Sequence, residues 1–114
     1  MKRFILIFVG LLCFTLLSAL PAYSDSLLQK AKSGDAEAQY YIGRAYYDGN
    51  GVKKDYNQAF RWFKTAAEQG NVNAQFYVGV YFANGYGLKR NYTEAVRWYK
   101  KAAMGGNRYA QNNL

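Results

Sequence analysis

From Gly34 onward the chain repeats itself every 36 residues without a gap. Residues 34–69 and 70–105 are identical at 15 of 36 positions. Gly34/Gly70/Gly106, Ala38/Ala74/Ala110 and Gln39/Gln75/Gln111 recur three times, and Gly43/Gly79, Gly49/Gly85, Gly51/Gly87, Ala59/Ala95 and Trp62/Trp98 twice. A unit of this length is one supersecondary motif, too small to bury its apolar face alone. Copies must therefore stack on one another, and the chain is predicted to be a solenoid.

Each copy reads as two helices. In the first half Ala38, Ile42 and Tyr46 recur at spacings of four, starting behind Asp35; in the second, Ala59, Trp62, Phe63 and Ala66 recur at three and four. Asp55 with Gln58, and Asn91 with Glu94, have the spacing of a capping box, which supplies acceptors to the orphaned amides of a helix start. Gly49-Asn50-Gly51 and Gly85-Tyr86-Gly87 end the first helices, where a left-handed residue is needed. Residues 25–33 align with the end of a second helix and residues 106–114 with the start of a first one. The expectation is an all-α solenoid of about six helices: a capping helix over 25–33, repeats over 34–69 and 70–105, and a partial third repeat over 106–114.

The first 24 residues have a different character. Met1-Lys2-Arg3 is basic, Phe4 to Leu20 is an apolar run broken by Gly10, Thr15 and Ser18, and Pro21-Ala22-Tyr23-Ser24 closes it. This is the layout of a secretory signal peptide cut after Ser24. The alternative is an uncleaved anchor, because a run of 17 residues approaches the roughly 20 that span a bilayer. Cys13 follows Leu12 rather than a small residue and does not fit a lipidation site. Cleavage lowers the net charge from +8 to +6 and removes the one Cys, so the exported chain must hold together by packing without a disulfide.

The composition shows what that packing consists of. Beyond residue 24 there are ten branched aliphatics against 13 Ala and 17 aromatics. Gly43, Gly79, Ala59 and Ala95 allow close helix approach, and Trp62, Trp98, Tyr46 and Phe82 are expected to fill the space between layers.

The run Ala38-Gln39-Tyr40-Tyr41-Ile42-Gly43, with Tyr46, Gly49, Gly51, Asp55, Ala59, Trp62, Lys64, Ala66-Ala67 and Gly70, resembles the Sel1-like repeat, a relative of the tetratricopeptide repeat. The second copy matches through Ala74-Gln75, Gly79, Phe82, Gly85, Gly87, Ala95, Trp98, Lys100 and Ala102-Ala103, with Asn91 and Phe82 where the family more often has Asp and Tyr. The resemblance implies an α-solenoid that scaffolds or binds other proteins, often in bacterial envelopes, and it brings no catalytic residue. Some exported cysteine-rich members are described as β-lactamases. An envelope hydrolase acting on β-lactams or peptidoglycan is therefore the alternative function, although the paired Cys of those members is absent here.

Little else points to chemistry. With no His, the chain has no His general base, no Ser-His or Cys-His nucleophile and no His-ligated metal. The Gly-x-Gly elements lack a preceding strand and are not phosphate loops. Neither Ser-x-x-Lys nor Gly-x-Ser-x-Gly occurs. No cofactor, metal or catalytic residue is expected. Asn91-Tyr92-Thr93 is a glycosylation sequon, better explained by Asn91 as a cap. Lys53-Lys54, Lys89-Arg90, Arg61, Lys64, Arg97, Lys100 and Lys101 read as a solvated face. Nucleic acid is not expected, since the aromatics that would stack on bases are claimed by the core; an anionic envelope component remains allowed.

The repeat also separates fold from function. On the first helix of copy one, Glu37, Tyr41, Arg44 and Asp48 share one stripe off the core face; copy two places Asn73, Tyr77, Val80 and Asn84 there, and the last helix adds Tyr109. In related solenoids first helices line the concave side, so these residues are expected to form a groove for a protein or peptide, with Tyr41, Tyr77 and Tyr109 as a row of rings. The competing expectation is that these tyrosines pack between repeats. The predicted function is an exported, non-enzymatic interaction module, periplasmic or secreted, free of the membrane once the leader is removed.

Overall fold

A computed structural model of the protein describes residues 20–114. The signal-peptide expectation for residues 1–19 lies outside the described residues. Six helices follow in order: α1 (Asp25–Lys32), α2 (Ala36–Asp48), α3 (Tyr56–Glu68), α4 (Val72–Asn84), α5 (Tyr92–Met104) and α6 (Arg108–Asn112). There is no strand among the described residues, and no described helix is long and apolar enough to cross a membrane. Each helix packs on its neighbour in sequence, so α2–α3 and α4–α5 are the two full hairpins and α3 meets α4 between them.

Short polar side chains start every helix. Ser24, Asp35, Asp55, Asn71, Asn91 and Asn107 each accept a hydrogen bond from a first-turn amide. At Asp55 and Asn91 only half of the capping box forms, because the cap residues' own amides donate instead to the Tyr46 and Phe82 carbonyls (2.9 Å each). The first helices stop where Gly49 (φ 70°) and Gly85 (φ 71°) turn left-handed, a conformation in which a Cβ is strained.

The core is built from rings laid on glycines. A Cβ at Gly43 would stand 2.7 Å from the Phe63 ring, and one at Gly79 would stand 2.6 Å from the Tyr99 ring. The ring that needs the glycine is thus Phe63 or Tyr99. Trp62 and Trp98, expected as the layer-filling rings, divide. Trp98 is buried in the cluster of Ala67, Ala74 and Val78, whereas Trp62 is half-buried against Ala31, Ala38 and Ile42. The physical reason is the shortness of α1, eight residues against thirteen for α3, which leaves less helix for Trp62 to lie on.

A repeated glutamine ties each layer to the last. Gln39 Nε2 donates to the Ala31 carbonyl (3.0 Å), Gln75 Nε2 to Ala67 (3.3 Å) and Gln111 Nε2 to Ala103 (3.1 Å). These carbonyls lie in the last turns of α1, α3 and α5, which lack intrahelical donors. Gln39 also accepts from Gln69 Nε2 at 2.6 Å, and no buried side-chain polar atom among the described residues is left without a partner.

Tyr23 and Ser24, expected to leave with the leader, touch the fold. The Tyr23 amide donates to the Asn50 carbonyl (3.0 Å), its ring meets Tyr46 edge-on at 5.7 Å, and Ser24 Oγ caps α1 by accepting from Leu27 (3.1 Å). A cut after Ser24 therefore separates α1 from its cap.

Candidate binding groove

The three first helices, α2, α4 and α6, together line a cavity of about 310 Å³. Its walls are Tyr40 and Arg44 from α2, Asn73, Phe76 and Tyr77 from α4, Asn107 at the cap of α6, and Tyr109. A second cavity of about 290 Å³ lies beside α2 toward the N-terminus and contains Glu37 and Tyr41 along with Leu27 and Lys30. Shifted by one period, Glu37 and Tyr41 become Asn73 and Tyr77, so the two cavities are successive sites along one line of first helices.

Arg44 is held in the wall of the larger of these two cavities. Its Nε and one terminal nitrogen donate to Asp48 Oδ2 (3.2 and 3.0 Å), the other terminal nitrogen donates to the Tyr40 hydroxyl (3.2 Å), and its guanidinium carbon lies 5.1 Å above the Tyr77 ring. Burial works against this charge. The hydrogen bond it donates to Tyr40 and the neighbouring Tyr77 and Asp48 overcome it, so the guanidinium pKa lies above its ordinary value. Asp48 is outside the cavity and acts by neutralising and orienting Arg44.

The tyrosines differ from one another. Tyr77 stacks on Phe63 with centroids 4.7 Å apart and planes 12° from parallel, and burial pushes its hydroxyl up to about 12. It is at once the cavity floor and the joint between repeats. Tyr41 is half-buried and donates to Glu37 Oε1 (3.1 Å); that bond is the main reason its hydroxyl pKa is raised. Tyr109 is 68% exposed and rests on Phe76 at 5.7 Å. The row of rings thus grades from structural to free.

Val80 and Asn84 lie elsewhere. Val80 packs toward the Ala95–Tyr99 cluster, and Asn84 Nδ2 is spent on the Val80 carbonyl (2.8 Å). Three wall residues fall outside the expected stripe: Tyr40, Phe76 and Asn107. The repeat carried a signal for two of them, because Tyr40 and Phe76 occupy one position of the period and are both aromatic. Asn107 had a second use that its capping role concealed. Its Oδ1 accepts from Ala110 (2.9 Å) while its Nδ2 donates to Asn73 Oδ1 (3.1 Å), which fixes the amide that faces the cavity.

The arrangement offers an aromatic floor, an amide rim and a neutralised cation. No group of three or more His, Cys, Asp or Glu among the described residues could hold a metal ion. The basic residues stand outside the cavity: Lys53, Lys54, Lys64, Lys89 and Arg90 are exposed, and Arg97 and Lys101 lie over the Trp98 ring at 5.2 and 4.7 Å.

Antiparallel helix pairs stacked in sequence, with first helices side by side, define an α-solenoid repeat protein of the tetratricopeptide-like class. More narrowly, the chain belongs to the Sel1 repeat family, whose model matches residues 36–71 and 72–107. It is 48% identical over 42 residues to the secretory immunoglobulin A-binding protein EsiB of Escherichia coli, a stretch covering 37% of this chain and 9% of that protein. Its fold is similar to that of a protective antigen of uropathogenic Escherichia coli (TM-score 0.76, 46% identity, 82% of this chain and 20% of that one). It is likewise similar to a Sel1 repeat protein from Oxalobacter formigenes (TM-score 0.69, 37% identity, 75% and 65%). The cysteine-rich protein B of Helicobacter pylori shares the fold at 24% identity (TM-score 0.71). The chain spans less than two thirds of the length of each of the first three.

Proposed function

We propose that the chain is an exported, non-enzymatic module that takes a protein or peptide partner in the cavity between α2, α4 and α6, in the envelope or outside the cell. The observation that carries this reading is the neutral, aromatic cavity built from three successive first helices, with Tyr109 exposed at its edge. Such a surface suits an apolar side chain flanked by peptide amides, which Asn73 and Asn107 can meet. It is poorly equipped for hydrolysis. Arg44 and Asp48 are committed to each other, and the Tyr77 hydroxyl, protonated at neutral pH as any tyrosine is, has no base beside it in the cavity lining.

Export rests on the leader pattern, and the interaction role on the family. The 42 residues shared with EsiB are little more than one repeat, so they support a common scaffold, and the partner in that protein's name stays with that protein. Anionic envelope components, if bound, would meet the basic residues outside the cavity.

The test uses the exported chain as bait on its own envelope extract, beside a variant carrying Tyr109→Ser. Capture of a defined protein that the variant loses, with its thermal melt unchanged, is the expected result. Equal capture by both chains would move the site elsewhere, and turnover of peptidoglycan or a β-lactam by the pure chain would restore the hydrolase reading.

A further inference from the structure

The polar groups that line the groove between α2, α4 and α6 are fixed in orientation, and the fixing starts from a helix cap. Asn107 Oδ1 accepts from the Ala110 amide (2.9 Å), so its Nδ2 points the other way and donates to Asn73 Oδ1 (3.1 Å). An amide that accepts on its oxygen side presents its nitrogen on the other. Asn73, exposed on the cavity wall, therefore keeps both N–H groups of Nδ2 for a ligand. Arg44 obeys the same logic. Three of its N–H groups go to Asp48 and to the Tyr40 hydroxyl, which leaves one on each terminal nitrogen. The Tyr40 oxygen accepts from Arg44, so the Tyr40 proton is left to be donated. The wall is one-sided as a result. Asn73, Arg44 and Tyr40 offer donors, while the oxygens of Asn73, Asn107 and Tyr40 each already accept a bond. Acceptor capacity remains on the hydroxyls of Tyr77 and Tyr109, which rotate to suit.

That asymmetry discriminates between ligands. An internal peptide segment brings an N–H for every carbonyl, and an N–H buried here without an acceptor is costly. The last residue of a chain is different, because its carboxylate only accepts and its side chain stands on the same carbon. Phe76 and Tyr77 place an apolar floor beside the donors, and a volume of about 310 Å³ is at the small end for ligand pockets, which suits one terminal residue. No acid lines this cavity, since Asp48 stands outside it. The neighbouring cavity is the contrast: Asp35 and Glu37 line it with one base, Lys30, and disfavour a carboxylate. Resting on the groove reading above, we propose that the larger cavity captures the C-terminal residue of a partner protein. Asn73, Arg44 and Tyr40 take its free carboxylate, and its apolar or aromatic side chain lies on Phe76 and Tyr77.

The experiment measures binding of short dye-labelled peptides of neutral composition to the full chain. Each ends in Phe and is made twice, as the free acid and as the C-terminal amide. The free acid should bind about tenfold more tightly or better, because hydrogen bonds to a charged acceptor are the stronger kind. A free acid ending in Gly should bind more weakly than one ending in Phe, since it leaves the floor bare. Asn73→Asp keeps an acceptor for Asn107 but replaces the free N–H groups by a negative charge. With an unchanged melt, it should abolish the advantage of the acid over the amide. Equal binding of acid and amide to the parent chain overturns the proposal, as does binding of neither, or an acid preference that survives Asn73→Asp. The acid–amide comparison needs no variant and stays decisive if Asn73→Asp fails to fold. Capture from envelope extract, compared with Tyr109→Ser, judges the groove separately: a partner lost by that variant while acid and amide bind alike keeps the groove and removes the carboxylate.

Discussion

The Phe63 ring lies 4.7 Å from the Tyr77 ring and 12° from parallel, so the floor of the candidate groove is also the stack that joins the two repeats. Binding surface and core share a residue here. Substitutions along the row of tyrosines will therefore have unlike effects, and their order follows from burial.

Tyr77→Ser should destabilise the fold by about 3–5 kcal/mol, the range for removing a large ring from a packed site. Tyr109→Ser should stay within about 0.5 kcal/mol, as for surface changes away from special features. Chemical denaturation of the two variants beside the parent checks this. A mild Tyr77 variant would mean the stack contributes little to holding the repeats together.

Gly79→Ala tests the ring-on-glycine packing. Alanine raises helix propensity by about 1 kcal/mol, but its methyl would lie 2.6 Å from the Tyr99 ring and 3.3 Å from the Ala95 carbonyl. Overpacking of this kind costs about 1–3 kcal/mol, so a net loss of stability is expected. A variant that melts higher than the parent would show that α5 can slide away from α4 at little cost.

The two tryptophans, identical in the repeat, should separate on truncation. Trp98→Ala removes a buried indole and should cost about 3–5 kcal/mol. Trp62→Ala should cost clearly less, because Trp62 is half-buried over the short α1. Equal shifts in thermal melts would show that α1 covers Trp62 as fully as α3 covers Trp98.

Alkaline pH should unfold the protein through its tyrosines. Tyr77 is pushed up to about 12 by burial, and Tyr81 is raised further by burial and by neighbouring hydroxyls. The folded state thus holds these protons more tightly than the unfolded chain, whose tyrosines titrate near 10. The resulting stability is complete below pH 10 and is lost as pH rises toward 12. The melting temperature should be flat from pH 7 to about 9 and fall above 10. Titration of all tyrosines near 10 with no change in the melt would contradict it.

A chain beginning at Asp25 should be less stable than one beginning at Tyr23. It lacks the Ser24 cap, worth about 0.5–2 kcal/mol, and the Tyr23 contacts with Asn50 and Tyr46. Melts of the two purified chains measure the difference directly. Identical curves would mean that Leu27, Leu28, Ala31 and the Gln39 bond to the Ala31 carbonyl hold α1 without help from the cap.

The sequence by itself determined the period, the helix pairs, the caps at Asp35, Asp55 and Asn91, and the glycine stops at Gly49 and Gly85. These features are local: they depend on spacing along one helix or on the φ of one residue. It also marked Tyr41, Arg44, Asn73, Tyr77 and Tyr109 as off the main core stripe. What it left undecided was what each position faces. Ala45 and Tyr81 occupy one position of the repeat and are both fully buried, because Tyr81 fills a space bounded by Phe60, Phe63 and Tyr56 on α3. In the same way Tyr40, Phe76 and Asn107 form one cavity only after three helices from three repeats are brought side by side. A period states that two residues are equivalent within their units. Only the stacking of layers decides which of them is buried and which is shared with a groove.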